Sequence, residues 1–151
     1  MRNKTLIDEL DIDVQSLQAK KPQTEYKIQY IREYVLYWLK VSVNRDNIEN
    51  INFIDCMCNA GIYQDGDFCT SVEVLQLFIN EARSHPQTNF YLYLNDYNAE
   101  RIKISQKIIC SFLSNENLNN IFVSYRTVDV NDYIEKYLPF EEPLKNASSN
   151  I

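Results

Sequence analysis

The chain has 151 residues, of which 45% are apolar, so it is the size of one domain and can bury a single core. It contains no run of about 18 apolar residues and no secretory signal pattern, so we expect a cytoplasmic protein without a membrane span. The formal net charge of −6 argues against nonspecific binding to nucleic acid, which requires a basic face.

Residues 1–23 are predicted to form a polar, loosely docked arm. They are rich in charged side chains, carry only a weak helical pattern of leucines, and end at Pro22, which we interpret as a helix break. From Thr24, a suitable N-cap, apolar residues recur at helical spacing between Ile28 and Leu39. This pattern predicts an amphipathic helix that ends at about Val43.

Three short β-prone segments follow, and a helical pattern comes after each of them. The predicted strands are residues 51–55, 89–94 and 121–128. The first predicted helix follows an N-cap at Thr70 or Ser71, and the other two begin at Ala99 and at Asp132. Connections of helical length require parallel strands joined by right-handed crossovers. Residues 24–140 are therefore predicted to form an α/β domain with a parallel sheet, and residues 141–151 a frayed tail.

An acid stands at the carboxyl end of each predicted strand: Asp55, Asp96 and Asp129. Ligands of parallel α/β sheets bind at this edge, and a carboxylate after the second strand is well placed to accept hydrogen bonds from ribose hydroxyls. The alternative is that these acids are solvated and stand at helix N-termini, where negative charge is favourable in any protein. Both interpretations remain open at this point.

Three of the four cysteines, Cys56, Cys58 and Cys69, are close in sequence. Structural zinc sites usually contain two cysteines separated by two to four residues, whereas Cys56 and Cys58 are separated by one residue at a predicted strand end. We therefore expect free thiols in a reducing compartment and no metal site.

The loop after the first strand, residues 55–66, holds both glycines of the chain. It resembles the opening motif of the three-Cys-motif partner proteins, a methyltransferase-like bacterial family with the pattern D-x-F-A-G-P-G-x-Y-x-x-G-x-x-G-S-P. The direct matches are Asp55, Gly61, Tyr63 and Gly66. Met57 stands for the phenylalanine, Asn59 for the first glycine, and Cys69-Thr70-Ser71 for G-S-P.

Matches outside this loop extend the resemblance to about residues 24–138. Lys27, Tyr34 and Trp38 resemble the K…Y…W pattern of the family's preceding helix. Asp96, with Glu100-Arg101 after it, resembles the family's second-strand acid, and Asp129 resembles its third-strand acid.

The resemblance implies a Rossmann-like three-layer α/β/α fold of the S-adenosylmethionine-dependent methyltransferase type, with strand order 3-2-1. Residues 55–61 would wrap the amino-acid end of S-adenosylmethionine, Asp96 would bind the ribose and Asp129 the adenine. The candidate cofactor-binding residues are Asp55, Met57, Asn59, Gly61, Tyr63, Asp96 and Asp129. The methyl acceptor and the catalytic residues remain unassigned.

Two functions are compatible with these patterns. The resemblance implies a methyltransferase-like protein that acts with a radical-SAM-like three-Cys-motif protein in an antiphage or mobile-element context. Family members continue through a fourth strand beyond this length, so we expect a truncated protein or half of an assembly, with an open edge on the first strand that can mediate self-association. Asn59 in place of glycine favours the alternative, a non-catalytic protein-interaction module on a Rossmann-like scaffold.

Overall fold

A computed structural model describes residues 3–45 and 48–141. Its helices are α1 (Lys4–Glu9), α2 (Pro22–Val43), α3 (Thr70–Ser84), α4 (Ala99–Ser114) and α5 (Val130–Asp132), and its strands are β1 (Asn50–Asp55), β2 (Asn89–Asn95) and β3 (Ile121–Arg126). Short helical turns occupy Val14–Ser16, Tyr133–Tyr137 and Leu138–Phe140. None of the helices in this part of the chain is long and apolar enough to cross a membrane.

The three strands form one parallel sheet in the order β1-β2-β3, which confirms the predicted 3-2-1 arrangement. Two right-handed crossovers in the same direction place α3 and α4 on the same face of the sheet. On that face the ring of Phe78 from α3 lies 5.3 Å from that of Phe90 in β2. Tyr93 alternates to the opposite face, where it lies near the fully buried Tyr133 that follows α5. The predicted three-layer α/β/α architecture is therefore confirmed.

Helix α2 begins at Pro22, two residues before the predicted start at Thr24. Proline suits the first helical position because its missing N–H would have no partner there and its φ is already helical. The helix buries Val35 and Leu39 and lies beside α3. Ion pairs from Arg32 to Glu73 (3.4 Å) and from Lys40 to Glu81 (2.6 Å) join the two helices.

The N-terminal segment differs from the loosely docked arm that its polarity indicated. Ile7, Ile12 and Leu17 are all less than 10% exposed and belong to the hydrophobic core. The backbone of the arm also bonds to the loop between β1 and α3, since the side-chain nitrogen of Gln64 donates to the carbonyl of Leu17 at 2.8 Å. Lys20 pairs with Asp65 and Asp67 of the same loop. Three well-spaced apolar side chains and these polar contacts fix an arm that is mostly polar.

Two element boundaries also differ from the prediction. Helix α3 begins at Thr70, so its N-cap is Cys69 and not Thr70 or Ser71. Strand β3 ends at Arg126 because Asn95 bonds to both backbone groups of Val128 and turns the chain away from the sheet. Apart from Glu141, the predicted frayed tail lies outside the described residues.

Candidate functional site

The loop between β1 and α3 turns sharply because three of its residues adopt positive φ. Asn59 has a φ of 61°, and Gly61 and Gly66 have values of 86° and 88°. A Cβ atom at Gly61 would lie 3.1 Å from Cγ2 of Val72 in α3. Glycine at this position therefore allows the loop to pack closely against α3. Asn59 is one of the few non-glycine residue types that tolerate the left-handed conformation.

A cavity of about 400 Å³ lies at the carboxyl end of β1, between α2, the loop and the N-terminus of α3. It brings together four of the predicted cofactor-binding residues: Asp55, Met57, Asn59 and Tyr63. The remaining lining comes from α2 and its N-terminal turn, from β1, and from the cysteines and threonine beside α3. Those residues are Thr24, Lys27, Ile28, Ile31, Phe53, Ile54, Cys58, Cys69 and Thr70.

Asp55 is the carboxylate of this cavity. Burial raises its pKa above the ordinary value for aspartate, and the N–H of Met57 (3.2 Å from Oδ1) and the charge of Lys27 lower the pKa only in part. Within residues 3–45 and 48–141 no cation forms an ion pair with Asp55. The cavity thus contains a carboxylate whose negative charge is poorly balanced.

The N-terminus of α3 also lines the cavity, through Cys69 and Thr70. In the described structure no side chain of the N-cap residue, Cys69, bonds to the first N–H groups of this 15-residue helix. Those groups carry the positive end of the helix dipole and suit an anionic ligand group. Burial raises the pKa of the Cys69 thiol to about 12 against the opposing effect of the Tyr63 hydroxyl. Cys69 is therefore a neutral thiol at physiological pH and not a nucleophile.

Asp96 lies outside the cavity and is 4% exposed. Its Oδ2 accepts the N–H of Asn59 at 3.0 Å, and its Oδ1 accepts the N–H of Asn98 at 3.0 Å. Arg101 lies 3.7 Å from the same Oδ1. The carboxylate predicted to bind ribose hydroxyls is thus occupied by the protein's own donors, and it ties the loop after β1 to the end of β2.

The side chain of Asn59 is held in the same way. Its Nδ2 donates to Oε1 of Gln18 in the N-terminal arm at 2.9 Å, and its Oδ1 accepts the N–H of Ala60 at 2.7 Å. The amide therefore joins the arm to the loop at the edge of the cavity. These are side-chain bonds that glycine at this position could not make.

The other two predicted cofactor-binding residues do not line the cavity. Gly61 is buried beneath α3, and Asp129 is exposed and caps α5 through a bond from the N–H of Asn131 (2.9 Å). Two contributors were not among the predicted site residues, namely Lys27 in the lining and Gln18, which holds Asn59. Their spacing carries no signal for this role, because both approach the loop only through tertiary packing.

No protein-family model, curated protein or solved structure matches this chain. What the site can do chemically follows from its donors and acceptors. A carboxylate, a lysine and a helix N-terminus without a side-chain cap line the same cavity, and together they are complementary to a ligand that carries both an ammonium and a carboxylate group.

Proposed function

We propose that the cavity at the end of β1 binds the amino-acid end of S-adenosylmethionine or of a related α-amino-acid ligand. The observation that carries this proposal is the position of Asp55, a poorly balanced carboxylate in the same cavity as Lys27 and the N-terminus of α3. The ligand ammonium would pair with Asp55. The ligand carboxylate would pair with Lys27 and with the N–H groups at the start of α3.

The donor set fits the amino-acid end of this cofactor and does not fit its ribose. Asp96 is 4% exposed, lies outside the cavity and accepts a backbone N–H group on each carboxylate oxygen, so it is not accessible to ribose hydroxyls of a ligand in the cavity. When bound, S-adenosylmethionine supplies an electrophilic methyl group, and the residues of this chain would only hold and orient it. We therefore expect weak binding, governed by the amino-acid end.

The resemblance of the loop to the three-Cys-motif partner family supports a methyltransferase-like assignment. It also suggests that the protein acts with a three-Cys-motif protein. The family resemblance and the cavity are independent observations, since the first depends on residue identity and the second on packing.

Isothermal titration of the whole chain with S-adenosylmethionine, S-adenosylhomocysteine and methionine tests the proposal. We expect heat from all three ligands and a tenfold to hundredfold loss of affinity in Asp55→Asn and Lys27→Met, about the effect of one lost charge-assisted hydrogen bond. Lys21→Met is the matched control, because Lys21 is exposed and outside the cavity. If none of these ligands binds at millimolar concentration, the proposal is wrong.

A second candidate function is a non-catalytic interaction module. The hydrogen bonds that Asp96 and Asn59 make within the protein favour it, because the resemblance implies that these two residues bind the cofactor. This alternative would be supported if none of the three ligands binds and if the wild-type chain and the cavity variants Asp55→Asn and Lys27→Met capture the same defined partner equally well.

A further inference from the structure

The outward face of α2 carries a continuous row of large side chains. Tyr26, Tyr30, Tyr34 and Tyr37 are 77%, 72%, 63% and 74% exposed, and Val41 is 41% exposed. They follow one another at spacings of three or four residues and lie opposite the buried side of the helix. The outer face of a surface helix is ordinarily charged or polar. We call these five residues the tyrosine face.

We propose that the tyrosine face binds the same face of a second copy of this chain, with the two α2 helices antiparallel. A tyrosine presents about 200 Å², so these exposed fractions correspond to roughly 570 Å² on each copy. A stable interface buries about 800 Å² on each partner, and the side chains that flank the row can supply the difference. Tyrosine is also enriched in protein–protein interfaces. It carries no charge, which suits the centre of an interface, where charged residues are rare.

Charge complementarity selects a second copy as the occupant. A two-fold contact requires a surface that is complementary to itself. Glu33 and Lys40 flank the same edge of the row and are two helical turns apart. When two α2 helices run antiparallel, each Glu33 can lie opposite the Lys40 of the other copy.

The same alignment places the tyrosines in contact with one another. It brings Tyr37 of the two copies together near the two-fold axis and places Tyr34 beside Val41. Lys40 stays accessible in this arrangement, since its side chain is 63% exposed even though it also pairs with Glu81. Tyr26 lies at the far end of the row, where the two copies of this residue are roughly 30 Å apart.

Sedimentation equilibrium from micromolar to millimolar concentration tests the proposal. We expect a dimer, and we expect Tyr37→Glu to raise its dissociation constant at least about a hundredfold, because each dimer then holds two carboxylates at its centre. Tyr97→Glu is the matched control, as Tyr97 is 66% exposed on a different surface. Circular dichroism of each variant reports whether the fold is retained.

Cysteine cross-linking tests the alignment itself. In a Cys110→Ser background, which removes the exposed thiol, Tyr37→Cys should form a disulfide-linked dimer under mild oxidation and Tyr26→Cys should not. A chain that stays monomeric throughout the concentration range overturns the proposal. So does a dimer that Tyr37→Glu leaves intact, which would instead indicate pairing through another surface such as the open edge of β1.

Discussion

Two aspartates at the ends of neighbouring parallel strands differ in burial and in hydrogen bonding. Asp96, after β2, is 4% exposed and accepts two backbone N–H groups beside Arg101. Asp55, at the end of β1, accepts one N–H group and faces a cavity. The same residue type at the ends of adjacent strands thus joins two parts of the fold in one case and is a candidate ligand of the cavity in the other.

The loop between them explains the difference. Its left-handed residue, Asn59, directs its N–H to Asp96 and its side chain to Gln18 in the arm. This geometry closes the β2 side of the edge and leaves the β1 side open towards α2. The comparison teaches that a strand-end acid is available to a ligand only where the neighbouring loop does not supply donors of its own.

The largest effect on stability is expected when the Asp96 carboxylate is removed. Asp96→Ala leaves two N–H groups and the largely buried Arg101 without their acceptor, which should lower the free energy of unfolding by about 2–4 kcal/mol. Urea denaturation measures the loss. Asp129→Ala, which removes only an exposed cap, should cost about 1 kcal/mol and serves as the control. Equal losses in the two variants would contradict the distinction.

Substitution of Asp55, in contrast, is expected to increase the free energy of unfolding. Burial raises the pKa of Asp55, so the folded state favours its protonated form, and the stability linked to this form is lost as pH rises through the raised pKa. Asp55→Asn should therefore increase the free energy of unfolding by about 0.5–2 kcal/mol at neutral pH, with a gain that shrinks in acid. Thermal unfolding at a series of pH values measures this dependence.

Asp65 provides the control of opposite sign for that experiment. Burial tends to raise its pKa, but the N–H of Asp67 and the charge of Lys20 together lower it below the ordinary value. The stability it contributes is present above its unfolded pKa and is lost as pH falls, so Asp65→Asn should destabilise the protein at neutral pH and not in acid. If both variants shift stability in the same direction, the electrostatic account of Asp55 is wrong.

The smallest effect on stability is expected for substitution of Asn59, in the loop that joins Asp55 to α3. Asn59→Gly relieves a left-handed φ but loses the bond to Gln18, so stability should change by less than about 1 kcal/mol. The arm should loosen, which amide hydrogen exchange of residues 10–20 would detect, and affinity for S-adenosylhomocysteine should rise severalfold. Gln18→Ala removes the same bond without changing φ. If affinity rises in neither variant, the Asn59–Gln18 bond does not restrict the site.

The sequence predicted the sheet because its signals are local. Short β-prone segments separated by helical patterns indicate parallel strands joined by right-handed crossovers, and the order that β1, β2 and β3 adopt is the one that the resemblance implied. Part of the predicted site came together where the prediction depended on the chain near one strand end, and cofactor binding by these residues stays a prediction. Asp55, Met57, Asn59 and Tyr63 meet in one cavity because they belong to a single loop.

The remaining features depend on residues that are distant in sequence. Lys27 enters the cavity because α2 lies beside α3, and Asp96 is closed because Asn59 donates to it from 37 residues away. The buried isoleucines of the arm carried too weak a periodic pattern to predict docking. The sequence by itself determined the parallel α/β sheet and the acids at its edge, since parallel strands follow from local periodicity and from connections of helical length. Only the tertiary structure decided which acid stays open, because hydrogen-bond satisfaction depends on what packs against each strand end.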